Sequence, residues 1–96
     1  GLTRVMALET SHKGVTVNAI CPGYVDTDLT RENARLMAVA AGVTTPEALE
    51  RFACTSPLQR LMTTDEVANV AVLLAGPLGE AITGQAINVD GGAVMA

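Results

Sequence analysis

The ten residues from Asn18 to Thr27, N-A-I-C-P-G-Y-V-D-T, are the stretch of this chain most able to do chemistry. Thr27 carries a hydroxyl, which can both donate and accept a hydrogen bond. Pro22 and Gly23 end an apolar, β-branched run from Val15 to Ile20, because proline lacks an N–H and glycine permits a sharp change of direction. Ligands of open α/β sheets bind beyond the carboxyl ends of strands. Backbone groups and a hydroxyl placed there can address one. Taken alone, however, Pro-Gly more often marks an ordinary strand-terminating turn.

The remaining reactive side chains carry less. Asp26 and Asp28 are carboxylates two residues apart, but no histidine, cysteine or further carboxylate completes a metal-ligand set around them. They read as solvated loop carboxylates near a helix start. Tyr24 is the only tyrosine, and it belongs to the Pro-Gly loop. Cys21 and Cys54 lack paired metal or redox spacing and read as two buried, reduced thiols. His12 and Lys13 precede Gly14 and suit a helix C-terminus, where the dipole favours cations. No catalytic residue and no metal site is expected within the chain.

The elements that must position these residues follow from periodicity and caps. Gly1 to Ser11 has apolar residues around most of a helix circumference, Leu2, Val5, Met6 and Leu8, which predicts burial on more than one side. Val15 to Ile20 reads as a strand of a covered parallel sheet. A mixed excursion then holds a helix from Arg31 to Ala41, ended by Gly42, and a second from Pro46 to about Cys54 behind a capping Thr45. On the first of these, Met37 and Leu36 face either core or substrate, with core the favoured reading. Such an excursion, about residues 28–56, suits a substrate-binding insertion. Thr63 and Glu66 form a capping box for a helix ended by Gly76 and Pro77, and Ala86 to Val89 makes a last strand that exits through Asp90, Gly91 and Gly92.

Strand, helix, strand in this order implies a right-handed crossover between parallel strands. Two such strands cannot cover their own faces and edges, since sheets usually hold about five or six strands. The chain therefore reads as the last third of a larger α/β domain. Composition agrees, with 49% hydrophobic residues but only 2% aromatic, the profile of a helix-covered parallel sheet. A net charge of −4 without any Lys/Arg cluster argues against nucleic acid or an anionic membrane as a partner. No apolar run approaches the ~18 residues of a membrane span, and no basic-then-apolar segment opens the chain. A cytoplasmic protein is expected.

The whole decapeptide, Asn-x-x-x-Pro-Gly-x-Val-x-Thr, resembles the post-catalytic motif of the short-chain dehydrogenases/reductases. G-L-T-R-V-M-A-L-E resembles the helix after that family's Tyr-x-x-x-Lys, and K-G-V-T-V-N-A-I its sixth strand. P-L-Q-R-L-M-T-T-D-E-V-A-N-V-A-V-L-L-A and I-T-G-Q-A-I-N-V-D-G-G resemble its last helix and strand, in family order. The resemblance implies an α/β fold over residues 1–96: the C-terminal part of a Rossmann-like doubly wound parallel sheet, two strands with their helices. It implies NAD or NADP as cofactor, Pro22 and Gly23 beside the nicotinamide, backbone groups of Val25 on its carboxamide, and Thr27 near carboxamide and pyrophosphate. The substrate implied is a small carbonyl compound or secondary alcohol, of 3-oxoacyl-thioester or 3-hydroxy-acid type, and the assembly a homotetramer. Gln59 and Thr64 depart from the family's frequent Gly and Pro. The Gly-rich phosphate loop, the Asn-Asn-Ala-Gly stretch, the catalytic Ser and Tyr-x-x-x-Lys are absent from these residues. That absence leaves one rival, a non-catalytic module acting only in subunit assembly.

Overall fold

Three threonines set the helical layout. In the computed structural model, which describes residues 1–94 of the expected 1–96 unit, Thr27, Thr44 and Thr63 each sit in extended backbone and accept the N–H three residues on. Each hydroxyl thereby satisfies one of the orphan donors of a helix start. The helices that follow are α2 (Asp28–Ala41), α3 (Thr45–Ala53) and α4 (Thr64–Ala75), preceded by α1 (Leu2–Thr10). The cap of α3 is thus Thr44, one residue before the expected Thr45, and α2 starts at Asp28, three residues earlier than periodicity alone suggests. At Thr63 the capping box is complete, with Glu66 returning a bond to the Thr63 N–H at 2.8 Å.

Strands β1 (Ala19–Pro22) and β2 (Ala86–Val89) pair in parallel, with Ala19 opposite Ala86 and Pro22 opposite Val89. The second strand has the expected bounds, whereas the first begins later than Val15. Upstream of Ala19 the chain is held by side-chain clips instead of a ladder. Thr83 Oγ1 accepts from the Val17 N–H at 3.0 Å, and Asn18 reaches both Ile82 O and Gln85 N. The strand also runs through Cys21 and Pro22, contrary to the expected stop. Ala19 and Gly23 donate their N–H groups to Gln85 and Val89. By the two-residue period Pro22's missing donor faces the open edge, where it costs no ladder bond.

Burial is concentrated in one small cluster. Ala34 and Ala38 of α2 meet Ala48 of α3, with Met37, Val43, Leu49 and Phe52 packed around them. Alanines at the contact let the two helix backbones approach closely, and Met37 takes the core side while Leu36 stays exposed. Elsewhere apolar faces are open. Leu2, Val5, Met6 and Leu8 of α1 are all exposed, and only Ala7, beside Gly84, is buried. The expected burial of this helix on several sides is not met, because no described residue lies against those faces. The radius of gyration, 16.5 Å, exceeds the ~13 Å of a self-contained globule of about this length. Among the described residues no large side chain is fully buried.

Candidate functional site

The carboxyl end of β1 is joined tightly to the exit of β2. Gly23 donates its N–H to Val89 O at 3.0 Å and lies so close to Asp90 that a Cβ there would stand 2.9 Å from Asp90 Cβ and 3.1 Å from its Cα. Only glycine fits this approach. Asp90, 8% exposed, accepts from the N–H groups of Gly92 and Val94 at 3.0 and 3.1 Å, so its carboxylate organises the exit turn. Gly91 within that turn has φ 66°, and a Cβ on it would meet Met62 Cε and Ser56 Oγ at 2.8 Å. The Asp90 role agrees with its reading as a strand exit.

Val25 is held by a single parallel bridge to Met62. Met62 N–H donates to Tyr24 O at 2.9 Å, and Asp26 N–H donates to Met62 O at 2.8 Å. Each bond uses one side of a peptide plane that flanks Val25. In a trans peptide the N–H and C=O point in opposite directions, so Val25's own N–H and C=O face away from Met62. Neither has a partner among the described residues. One residue thus presents a donor and an acceptor side by side, on a backbone fixed from behind.

Thr27 does not stand free for a ligand. Its Oγ1 accepts from Thr30 N–H at 3.2 Å and also lies 3.2 Å from the buried Thr30 hydroxyl. The acceptor is committed to capping α2. The hydroxyl proton, now directed at Thr30 Oγ1, is the part that can be turned elsewhere.

Pro22 and Gly23 line a cleft of about 450 Å³ whose walls include Cys21, Tyr24, Thr55 and Val94. Val25 and Thr27 lie farther along the same loop and do not line it. Cys21 and Cys54 are both exposed, which corrects the expectation of buried thiols. Cys21 opens onto the cleft, and Cys54 is the residue that ends α3. No group of side chains able to hold a metal ion occurs among the described residues.

The local electrostatics are peripheral and structural. Arg31 pairs with both Asp26 and Asp28, the latter at 2.6 Å, and these bonds raise the guanidinium pKa. Arg60 forks onto Glu66 at 2.6 and 2.7 Å. That fork, with the Thr63 N–H, holds the Glu66 carboxyl down to about 2. It also ties down Leu61 to Thr63, the segment that backs Val25.

Sequence reasoning overlooked Met62 as the support of Val25, and nothing in its type announced it. It also overlooked the contact between Tyr24 and Phe52, whose rings stack 4.3 Å apart with planes 5° from parallel. The signal for that pair was available. They are the chain's sole tyrosine and sole phenylalanine, and there is no tryptophan.

These features define a class: two parallel strands with a crossover helix, a loop past the strand ends, and a helical excursion beside it. Comparison with known proteins is specific. Residues 1–94 match the family model described as Enoyl-(Acyl carrier protein) reductase. The chain is 43% identical over 93 residues to the uncharacterized oxidoreductase YxjF of Bacillus subtilis, covering 96% of this chain and 36% of that protein. It is 39% identical over 93 residues to D-beta-hydroxybutyrate dehydrogenase of Rhizobium meliloti, with the same coverage. A variant of actinorhodin polyketide ketoreductase, solved with NADPH, superposes with a TM-score of 0.88 at 38% identity, over 97% of this chain and 36% of that one. The chain belongs to the short-chain dehydrogenase/reductase family, and its two strands and helices are a partial Rossmann α/β fold. It spans about a third of the length of the relatives it matches.

Proposed function

We propose that these residues are the C-terminal part of an NAD(P)-dependent oxidoreductase, in which the Pro22–Thr27 loop holds the nicotinamide end of the cofactor. The observation that carries the reading is the pair of unpartnered peptide groups on Val25. A nicotinamide carboxamide has an NH2 donor group and a carbonyl acceptor, and Val25 offers a C=O and an N–H to meet them. Bound there, the cofactor supplies hydride at its ring, and this chain's own part is to fix which ring face is presented. Pro22 and Gly23 form the wall beside it, and Thr27 turns its hydroxyl proton toward the amide while keeping its cap.

Proton transfer belongs to Ser, Tyr and Lys residues supplied by sequence outside these 96, since the only tyrosine here is stacked on Phe52. The substrate is a small carbonyl compound or secondary alcohol. Relatives named as a hydroxybutyrate dehydrogenase and ketoacyl reductases favour a 3-hydroxy acid or 3-oxoacyl thioester. The α2–α3 hairpin beside the loop selects among such substrates. An assembly role exists alongside: α4 buries none of its residues and exposes Val72 and Leu73, a face suited to a second subunit of a homotetramer.

Gly23→Ala tests the reading in the complete enzyme. Its Cβ must displace Asp90 or the loop, so affinity for NADH or NADPH and kcat/KM both fall, read by fluorescence titration and steady-state rates. Binding that is unchanged in the variant sinks the cofactor assignment. A wild-type protein that binds neither cofactor favours the assembly module.

A further inference from the structure

We propose that Phe52 is a positioning residue for the nicotinamide-amide site, acting through Tyr24; the proposal rests on the reading of the Pro22–Thr27 loop given above. The chain's two aromatic rings meet face to face, one from the loop and one from α3, at 4.3 Å and 5°. Tyr24 O accepts from Met62 N–H and shares a peptide plane with Val25 N–H. Whatever fixes Tyr24 therefore fixes the direction of the Val25 donor. Tyr24 is 44% exposed, and its ring lies flat on that of Phe52.

On the other side, Phe52 is packed into the Ala34, Ala38 and Ala48 cluster, the separate small core of the α2–α3 hairpin. These two helices pack chiefly on each other and not on the sheet. The stacked rings thus join two bodies, the hairpin that flanks the cleft and the loop that presents Val25. Tyr24 and Thr55, three residues beyond Phe52, also line the cleft itself. A shift of the hairpin against an occupant of the cleft is passed through the ring pair to the Val25 peptide. Neither ring takes part in bond making.

The test is cofactor titration and steady-state kinetics on the complete enzyme with Phe52→Leu, Tyr24→Leu, the double variant and Phe52→Tyr. Losing the stack weakens NAD(P)H binding roughly two- to tenfold. For Phe52→Leu the cofactor KM rises by that factor while kcat at saturating cofactor holds. Phe52→Tyr, which keeps a ring, restores wild-type affinity, and the double variant binds no more weakly than the weaker single one. Wild-type affinity in both leucine variants overturns the proposal, as do fully additive losses in the double variant. A lowered kcat with unchanged KM also overturns it, because that is the mark of a partly unfolded enzyme. Should Phe52→Leu fail to fold, Tyr24→Leu lies outside the hairpin core and carries the same comparison. A wild-type enzyme that binds neither NADH nor NADPH removes the functional reading, and this proposal with it.

Discussion

Val25 and Thr27 divide the work of one loop differently from what their types suggest. At Val25 the Met62 bridge turns two peptide groups outward, and these carry the proposed contact to the cofactor. Threonine, the residue with an obvious functional group, spends its acceptor on the α2 cap. The cap and the proposed cofactor contact of Thr27 are read by separate measurements. In the complete enzyme Thr27→Val removes both, lowering stability by about 0.5–2 kcal/mol for the lost cap and cofactor affinity by roughly two- to tenfold for the lost hydrogen bond. Thr27→Ser keeps the hydroxyl and should retain both properties. A melting curve and a cofactor titration on the same samples check this. A lower melting temperature with wild-type affinity in Thr27→Val would confine the residue to its cap.

At the scale of elements, legibility followed the strength of local chemistry. The Thr63–Glu66 capping box and the bounds of β2 were readable because a cap has a fixed three-residue spacing and Asp90–Gly91–Gly92 is an unambiguous exit. The start of β1 was not, since Val15 to Asn18 is β-branched and apolar like a strand but is held by Thr83 and Asn18 side chains, contacts about 65 residues away in sequence. The start of α2 is equally illegible, because the Thr27 hydroxyl suits a ligand contact and a helix cap alike. The Val25–Met62 bridge is a tertiary event with no sequence period at all. The Arg60–Glu66–Thr63 knot that supports it gives a pH expectation. Glu66 titrates near 2 in the fold, against about 4.3 when unperturbed. A depressed folded pKa stabilises above the unfolded value and loses that contribution as pH falls from about 4.3 toward 2. Acidification through this window should therefore loosen the start of α4, and Glu66→Gln should remove that part of the pH dependence. Side-chain NMR titration of Glu66 reads the value directly; an ordinary glutamate pKa would dissolve the expectation.

At the scale of the whole molecule, the described residues have a site wall, a hairpin with its own core, and wide uncovered apolar faces. Leu2 and Leu8 of α1 and Val72 of α4 are each at least 70% exposed, and β1 and β2 leave open edges. Exposed apolar faces and open strand edges of this kind favour association, and no helix of the described residues is long and apolar enough to cross a membrane. The 96-residue chain made alone is expected to associate on size-exclusion chromatography and to turn over no NAD(P)H. A soluble monomer with cooperative unfolding would contradict that expectation. The exposed faces are expected from topology, because two parallel strands with their helices cannot cover their own faces and edges. The most direct test bears on the two peptide groups of one residue, Val25. In a crystal structure of the complete enzyme with NAD(P)H, the nicotinamide carboxamide should lie within about 2.7–3.2 Å of both Val25 N and Val25 O. A bound cofactor whose carboxamide is held by other groups, with the Val25 peptide left to solvent, would contradict the account.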